Sequence, residues 1–359
     1  MTLVLLLGLA QLYYAPATHP RSPYKPEGLE KRPLASLAAS KQEWEKKRPA
    51  LLGSWKELLG RFEPEGEARK WIGDPRKARL GACEKLAKYE RCELEIPIET
   101  DFWQKYLLLR PYTPGKHPAV VAWTSTSPDY RKPEEWWGAW LAERGYVVLC
   151  GWSFLRNYRD GSTFREGAPE KVQERFGRWM GVGKMAWDAA QEVRYLASRS
   201  DVDAKRIGMI GFSLGAKGAL YAAAFTPGLA AVVSVDPGIP MNGPTNWFAR
   251  WYLDWNNETS MRLLNSDTST PEFERDHHEL LALAAPRPVL ILGGNDARTP
   301  SVDSDDHYSR AYVEKAREIY RFYGAGESLQ FEITGEGHKA TGPKTDALWQ
   351  VFFTRWLRP

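Results

Sequence analysis

The feature that most constrains this chain is a serine placed between a strand-like run and a helix-like run. The apolar run RIGMIG ends at Gly211, and the run LGAKGALYAAAF begins at Leu214, with Ser213 between them. A short apolar run predicts a buried strand, and the longer run after it predicts a helix. Gly211 and Gly215, two residues before and two after the serine, leave room for strand and helix to approach closely. The pattern predicts a sharp turn that raises the Ser213 hydroxyl above a sheet edge.

The rest of the chain after about residue 91 alternates apolar strand patterns with helical stretches. This alternation predicts an α/β fold with a mostly parallel, eight-stranded sheet and helices on both faces. The expected strands lie near 92–98, 105–110, 119–124, 146–150, 206–211, 231–235, 289–293 and 329–333. The expected helices lie near 134–144, 184–199, 214–225, 308–321 and 344–357.

Three stretches make up the predicted domain organisation. Residues 1–17 hold an apolar run before small residues, typical of a signal peptide and of secretion or export to the periplasm; otherwise the protein is cytoplasmic. Residues 18–91 form a proline-rich linker and a helical extension that begins with a capping box at Ser40. Residues 92–359 form the sheet domain, with an insertion at about 237–275 that we expect to cover the site.

Charge and hydropathy exclude two kinds of partner. The formal net charge is +4, and no run of five Lys or Arg occurs, which argues against a nucleic-acid partner. The N-terminal apolar run is shorter than the roughly 20 residues that a bilayer requires, so we expect no stable membrane span.

The chain has three cysteines, which cannot all pair with one another. Cys150 lies in an apolar strand pattern, where a free thiol behaves as a small hydrophobic group. Cys83 and Cys92 are the pair that could form a disulfide, and two unpaired thiols are the alternative.

A serine hydroxyl needs a base and an acid before it becomes a nucleophile. His338 follows the last expected strand and precedes the terminal helix. In folds that place a nucleophilic serine on a strand-to-helix turn, the base lies on this loop. Asp296 follows the strand VLILG and gives the chain order serine, acid, histidine. Asp236, at the end of the strand AVVSV, is the alternative acid because it could reach the same histidine.

Stabilisation of an oxyanion requires N–H donors beside the serine. The backbone N–H of Leu214 is the first expected donor. The second should come from the loop after the third strand, at Ser125 or Thr126.

From about residue 92 onward the chain resembles the dienelactone hydrolase and acetyl xylan esterase branch of the α/β-hydrolase superfamily. The likeness is carried by Trp187 and Asp188 leading into VRYLASRSDVDAKRIGMIGFSLGAKGAL, and by EGHKATGPKTDALWQVFFTRWL. It implies the α/β-hydrolase fold and hydrolysis of a carboxylic ester through an acyl-enzyme, without a metal or an organic cofactor.

Two further segments resemble the glucuronoyl esterases. One is the stretch DHHELL from Asp276, and the other is Lys217, four residues after the serine. Those enzymes carry an arginine where this chain has Leu214. The resemblance therefore leaves two interpretations of Lys217: a sugar-contacting residue, or a solvated or salt-bridged helix lysine.

The insertion contains Trp247 and Trp251 at helical spacing, which indicates either a core stripe or a stacking wall for a sugar.

We expect a serine esterase that acts on small or carbohydrate-linked esters, acetyl esters among them. The alternatives are a glucuronoyl esterase-like or peptidase-like hydrolase, and a non-catalytic carbohydrate-binding protein on a decayed hydrolase fold. The oligomeric state stays open.

Overall fold

A nine-stranded sheet runs through the part of the chain that the computed structural model describes, which comprises residues 34, 36–60, 65–125, 129–152, 174–177, 179–239, 275–294 and 307–358. Its strands are β1 (Arg79–Lys85), β2 (Tyr89–Glu99), β3 (Phe102–Pro111), β4 (His117–Trp123), β5 (Val147–Gly151), β6 (Val202–Phe212), β7 (Leu229–Val235), β8 (Val289–Gly293) and β9 (Leu329–Ile333). The signal-peptide region and nearly all of the predicted insertion lie outside the described residues.

The strand order is β1-β2-β3-β5-β4-β6-β7-β8-β9. The pairs from β1 to β5 are antiparallel, and the pairs from β5 through β9 are parallel. The carboxyl ends of β4, β6, β7, β8 and β9 therefore share one edge of the sheet, where side chains from separate segments can converge.

The expectation of eight strands is wrong by one, because β1 was not expected. All seven residues of β1 are exposed, so its sequence RLGACEK has no buried face and no apolar alternation to reveal it. The strand pairs with β2 in the antiparallel sense, and a disulfide between Cys83 and Cys92 joins the two strands. The sheet thus begins at Arg79, inside the segment assigned from sequence to the extension.

Helices cover both faces of the sheet. They are α1 (Lys41–Leu59), α2 (Ala139–Ala142, directly after a π-helical turn at Glu134–Gly138), α3 (Gly181–Ser198), α4 (Leu214–Phe225), α5 (His277–Leu283), α6 (His307–Phe322) and α7 (Pro343–Leu357). Side chains of α1, α3, α4, α5 and α6 join one buried apolar cluster, and those of α2 and α7 join another. None of the helices in these described segments is long and apolar enough to cross a membrane.

The period-two pattern of a strand divides its side chains between these two clusters. In β4, Ala119, Val121 and Trp123 face the larger cluster, whereas Val120 and Ala122 face the smaller one. All are fully buried, which explains why the central strands appear in the sequence as continuous apolar runs.

Helix α1 confirms the capping-box serine predicted at Ser40, and the helix ends before Gly60. The Ser40 side chain accepts a hydrogen bond from the Glu43 N–H at 3.2 Å, which satisfies a donor that the first turn leaves unpaired. Trp55 is buried and donates to Glu279 of α5 at 3.1 Å, and Arg48 donates to the Leu283 carbonyl at 3.0 Å. The extension therefore packs directly on the helices of the sheet domain.

The Cys83–Cys92 disulfide gives a direct test of the edge of the sheet. Protein purified and unfolded without reductant should react with one equivalent of an alkylating reagent, at Cys150, and with three equivalents after reduction. Replacing both Cys83 and Cys92 by serine should lower the free energy of unfolding by about 2–3 kcal/mol, since the unfolded chain gains loop entropy. Reaction with three equivalents before reduction would contradict the pairing.

Candidate active site

Ser213 lies on the predicted strand-to-helix turn. It follows β6 directly, and α4 begins at the next residue. Its backbone has φ 53° and ψ −111°, a conformation that L-residues rarely adopt. The Ser213 N–H donates to the Val235 carbonyl at 3.0 Å, and its carbonyl accepts the first helical hydrogen bond from Lys217 at 2.9 Å. The strained turn is thus fixed from both sides, as is typical of functional residues.

Gly211 and Gly215, on either side of the serine, must be glycines because a side chain at either position would collide with nearby backbone atoms. A Cβ on Gly211 would lie 2.2 Å from the Gly215 carbonyl oxygen. A Cβ on Gly215 would lie 2.3 Å from the Thr124 oxygen and 2.7 Å from the Trp123 oxygen. The backbones of β6, α4 and the loop after β4 therefore touch at this point without any intervening side chain.

Two hydrogen bonds link Ser213, His338 and Asp236 in series. The Ser213 hydroxyl lies 3.0 Å from Nε2 of His338, and Nδ1 of His338 lies 2.7 Å from Oδ2 of Asp236. The other carboxylate oxygen of Asp236 accepts the Gly294 N–H at 3.1 Å. The Asp236 side chain is 1% exposed and that of His338 27%, so the acid is enclosed while the base keeps access to solvent. In this arrangement Nδ1–H donates to the carboxylate and Nε2 is free to accept the serine proton.

The acid in contact with the histidine is the alternative from the sequence, not the favoured residue. Asp236 contacts Nδ1 of His338, whereas the chain order favours Asp296 as the acid. The backbone of Asp236 has φ 61°, so the chain turns sharply where β7 ends. Asp296 itself lies outside the described residues.

The loop that carries His338 is held at both ends. Gly337 donates its N–H to the Gly294 carbonyl at 2.7 Å. Glu336 caps α7 by accepting the N–H groups of Lys344 at 2.8 Å and Thr345 at 2.9 Å. Partial burial opposes ionisation of Glu336, but the hydrogen bonds from Thr345 and Lys344 outweigh it and lower the pKa of this carboxyl group. These contacts fix the histidine loop between β8 and the start of α7.

The expected oxyanion donors lie on two adjoining segments. Leu214 is the first residue of α4, where the N–H groups have no partner within the helix and the helix dipole is positive. The loop through Thr124 to Ser125 is buried and lies against Gly215, while the N–H of Thr124 is already bonded to the Gly151 carbonyl at 3.0 Å. Thr126 lies outside the described residues.

A buried polar network supports this loop from below. The indole N–H of Trp123 donates to Glu192 at 2.7 Å, and the Tyr106 hydroxyl donates to the other Glu192 oxygen at 2.6 Å. Burial raises the pKa of Glu192 well above its ordinary value. The Trp123 ring also lies against α4, where a Cβ on Gly218 would come within 2.5 Å of it. Tertiary packing thus fixes the strand end that precedes Ser125.

Of the three residues proposed from sequence to bind a sugar, the structure describes only Lys217. Lys217 is 3% exposed, and its ammonium group donates to the Pro237 carbonyl at 2.6 Å, so it is not a solvated helix lysine. Trp247 and Trp251 lie outside the described residues, and whether they form a stacking wall stays a prediction.

Sequence reasoning missed three residues that shape the site. Glu336 caps α7, Glu192 anchors Trp123, and Phe212 packs against the His338 ring with the ring centres 4.8 Å apart. Glu336 is the one with a local signal, because it lies two residues before the histidine and near the start of a helix. The other two act through contacts between distant segments.

Several solved structures share this fold. The chain matches a structure described as a promiscuous CE15 esterase from a marine bacterial metagenome with a TM-score of 0.65 and 16% identity, covering 90% of this chain and 97% of that one. A glucuronoyl esterase from Solibacter usitatus matches with a TM-score of 0.64 and 18% identity, covering 90% and 95% of the two chains. Methylesterase BT1017 matches with a TM-score of 0.62 and 20% identity, covering 89% and 65%. Sheet order, serine turn and these likenesses show that the chain has the α/β-hydrolase fold.

Sequence comparison confirms the resemblance noted above for parts of the chain. Residues 106–246 match the dienelactone hydrolase family, and residues 182–324 match the family described as glucuronyl esterase, fungi. Both matched segments contain Ser213 and Asp236. A curated relative, carbohydrate esterase MZ0003 from an unknown prokaryotic organism, is 25% identical in an alignment of 215 residues that covers 53% of this chain. The matched region is 46% of that relative, so the likeness spans about half its length.

The contact at Gly215 leads to a paired prediction on stability. Gly215→Ala should lower the free energy of unfolding by about 1–3 kcal/mol, because the new methyl group meets two backbone oxygens. Gly53→Ala, in the exposed part of α1 with nothing within 4 Å of the new carbon, should raise it by about 0.5–1 kcal/mol. Urea denaturation of both variants measures the difference. Equal effects at the two sites would refute the close approach at the turn.

Proposed function

We propose that this protein is a serine carboxylic ester hydrolase that acts through an acyl-enzyme on carbohydrate-linked esters. The observation that carries the proposal is the series of two hydrogen bonds from Ser213 through His338 to Asp236, at 3.0 Å and 2.7 Å. A serine, a base and a buried acid in this order form the arrangement that activates a hydroxyl for attack on a carbonyl. The carbohydrate part of the proposal is supported by the names of the similar proteins, which include glucuronoyl and carbohydrate esterases.

Each residue has a defined role in the proposed reaction. Ser213 Oγ attacks the ester carbonyl carbon while its proton passes to Nε2 of His338. The negative charge that forms on the carbonyl oxygen is stabilised by the Leu214 N–H, with Ser125 or Thr126 as the second donor. Protonated His338 then gives its proton to the departing alcohol oxygen, which leaves an ester on Ser213. Asp236 orients the imidazole and stabilises its positive charge.

The second half of the reaction repeats these roles with water as the nucleophile. His338 removes a proton from water, the hydroxide attacks the Ser213 ester, and the proton then returns to the serine oxygen. The products are a carboxylic acid and free enzyme. None of the steps uses a metal or an organic cofactor.

Glucuronoyl esterase activity is the second candidate function, and the match of residues 182–324 to the glucuronyl esterase family favours it. It specifies the acid part of the ester as a uronic acid, whereas in an acetylated carbohydrate the acid part is acetate and the sugar is the alcohol part. Initial rates on acetylated xylo-oligosaccharides and on a methyl glucuronate ester separate the two. We expect hydrolysis of at least one of these carbohydrate esters with a higher kcat/KM than that of an alkyl acetate without a sugar.

Ser213→Ala should abolish hydrolysis of 4-nitrophenyl acetate and labelling by a fluorophosphonate probe, because both require the serine oxygen. Ser54→Ala is the matched control: Ser54 lies in α1 and its hydroxyl donates to the Ala50 carbonyl at 3.0 Å, away from the turn. This control should keep the wild-type rate. Full activity in Ser213→Ala would refute the proposal.

Replacement of the acid distinguishes Asp236 from Asp296. Asp236→Asn should lower kcat by up to about 10⁴-fold, since an amide favours the wrong imidazole tautomer and does not stabilise the imidazolium. We expect a much smaller loss for Asp296→Asn on the same ester. The reverse order of losses would assign the acid role to Asp296.

A further inference from the structure

The turn that carries Asp236 has an unfavourable backbone. Asp236 has φ 61° although it precedes Pro237, a position at which residues prefer an extended conformation with negative φ. Gly238, two residues on, also has positive φ, at 71°. A turn of this kind keeps its shape only when the surrounding structure holds it. The residues that hold it therefore determine where the carboxylate lies.

Lys217 is the first of these residues. Its ammonium group donates to the Pro237 carbonyl at 2.6 Å, and its backbone N–H donates to the Ser213 carbonyl at 2.9 Å. One residue thus contacts both the segment with the nucleophile and the segment with the acid. The charge is buried, and removing a buried charge from its hydrogen-bonded carbonyl leaves that acceptor without its strongest donor.

His277 of α5 is the second residue that holds the turn. Its Nδ1 hydrogen bonds to the Ile239 carbonyl, and its Nε2 lies 3.2 Å from the hydroxyl of Tyr221 in α4. Burial, together with the charge of Lys217, lowers the pKa of His277 to about 3, although the Ile239 carbonyl opposes this. The ring is therefore neutral at ordinary pH, with its one N–H on Nδ1 donating to Ile239 and Nε2 accepting from Tyr221.

We infer that Lys217 and His277 are positioning residues for the acid: together they hold the turn from Asp236 to Ile239 so that the carboxylate meets His338. This inference rests on the proposed function and specifies how one site is maintained. It gives Lys217 a role that does not depend on a sugar. Without the two donors, the turn loses two of the contacts that oppose the extended backbone that Pro237 favours, and we expect the 2.7 Å contact between Asp236 and His338 to weaken.

The test uses 4-nitrophenyl acetate, because this ester contains no sugar. Lys217→Met keeps the length of the side chain and removes the donor; it should lower kcat by about 10-fold or more and change KM little. Lys205→Met, which alters an exposed lysine of β6, is the matched control and should keep the wild-type kcat. If Lys217 instead contacts the sugar, Lys217→Met should raise KM for carbohydrate esters and leave the hydrolysis of 4-nitrophenyl acetate unchanged. That result would overturn the inference.

A double-mutant cycle distinguishes positioning from general damage. If Lys217 acts through Asp236, Lys217→Met should cost little further activity in an Asp236→Asn background. Losses that multiply in the double variant would overturn the inference. Inactive wild-type protein, or wild-type activity in Ser213→Ala, would instead overturn the proposed function itself.

Variants of His277 provide an independent test of the inference if Lys217→Met does not fold. His277→Asn places an amide N–H near the position of Nδ1 and should retain more activity than His277→Leu, which has no donor. Thermal denaturation of the two variants shows whether they are equally folded. Equal kcat in the two variants at equal stability would contradict the role of His277.

Discussion

The close backbone contact between β6 and α4 is the constraint on which the site depends. Gly211 and Gly215 leave no side chain between strand and helix, and the loop at Thr124 approaches the same point. The serine hydroxyl, the first N–H groups of α4 and the loop after β4 are thereby fixed relative to one another. Such preorganisation stabilises a developing charge without any rearrangement during the reaction.

The proposed acid and the proposed base have different environments that suit these roles. Asp236 is buried and receives hydrogen bonds from Gly294 and His338, so its carboxylate has little freedom to reorient. His338 lies on a glycine-containing loop between β9 and α7 and remains partly exposed, where a leaving alcohol and a water molecule can reach it. Glu336 anchors that loop to α7, which limits its movement without enclosing the imidazole.

The sequence predicts the central strands and the serine turn well, because both depend on local patterns. It misses β1, whose residues are all exposed, and α5, whose seven residues are too few to show a helical period. The choice of acid could not be predicted in the same way. Asp236 and Asp296 both follow neighbouring parallel strands, and no local pattern reveals the positive φ that turns Asp236 toward His338. Lys217 is a similar case, because its partner lies on a turn 20 residues away.

The packing of α1 also affects how the protein can be divided. A fragment beginning at residue 92, where the sequence pattern first suggests a new domain, would lack β1 and one half of the disulfide. It would also uncover the apolar surface that Trp44 and Trp55 now fill against α5 and its neighbours. The smallest unit expected to fold on its own therefore begins before Ser40, and α1 belongs to the core of the sheet domain and not to the linker.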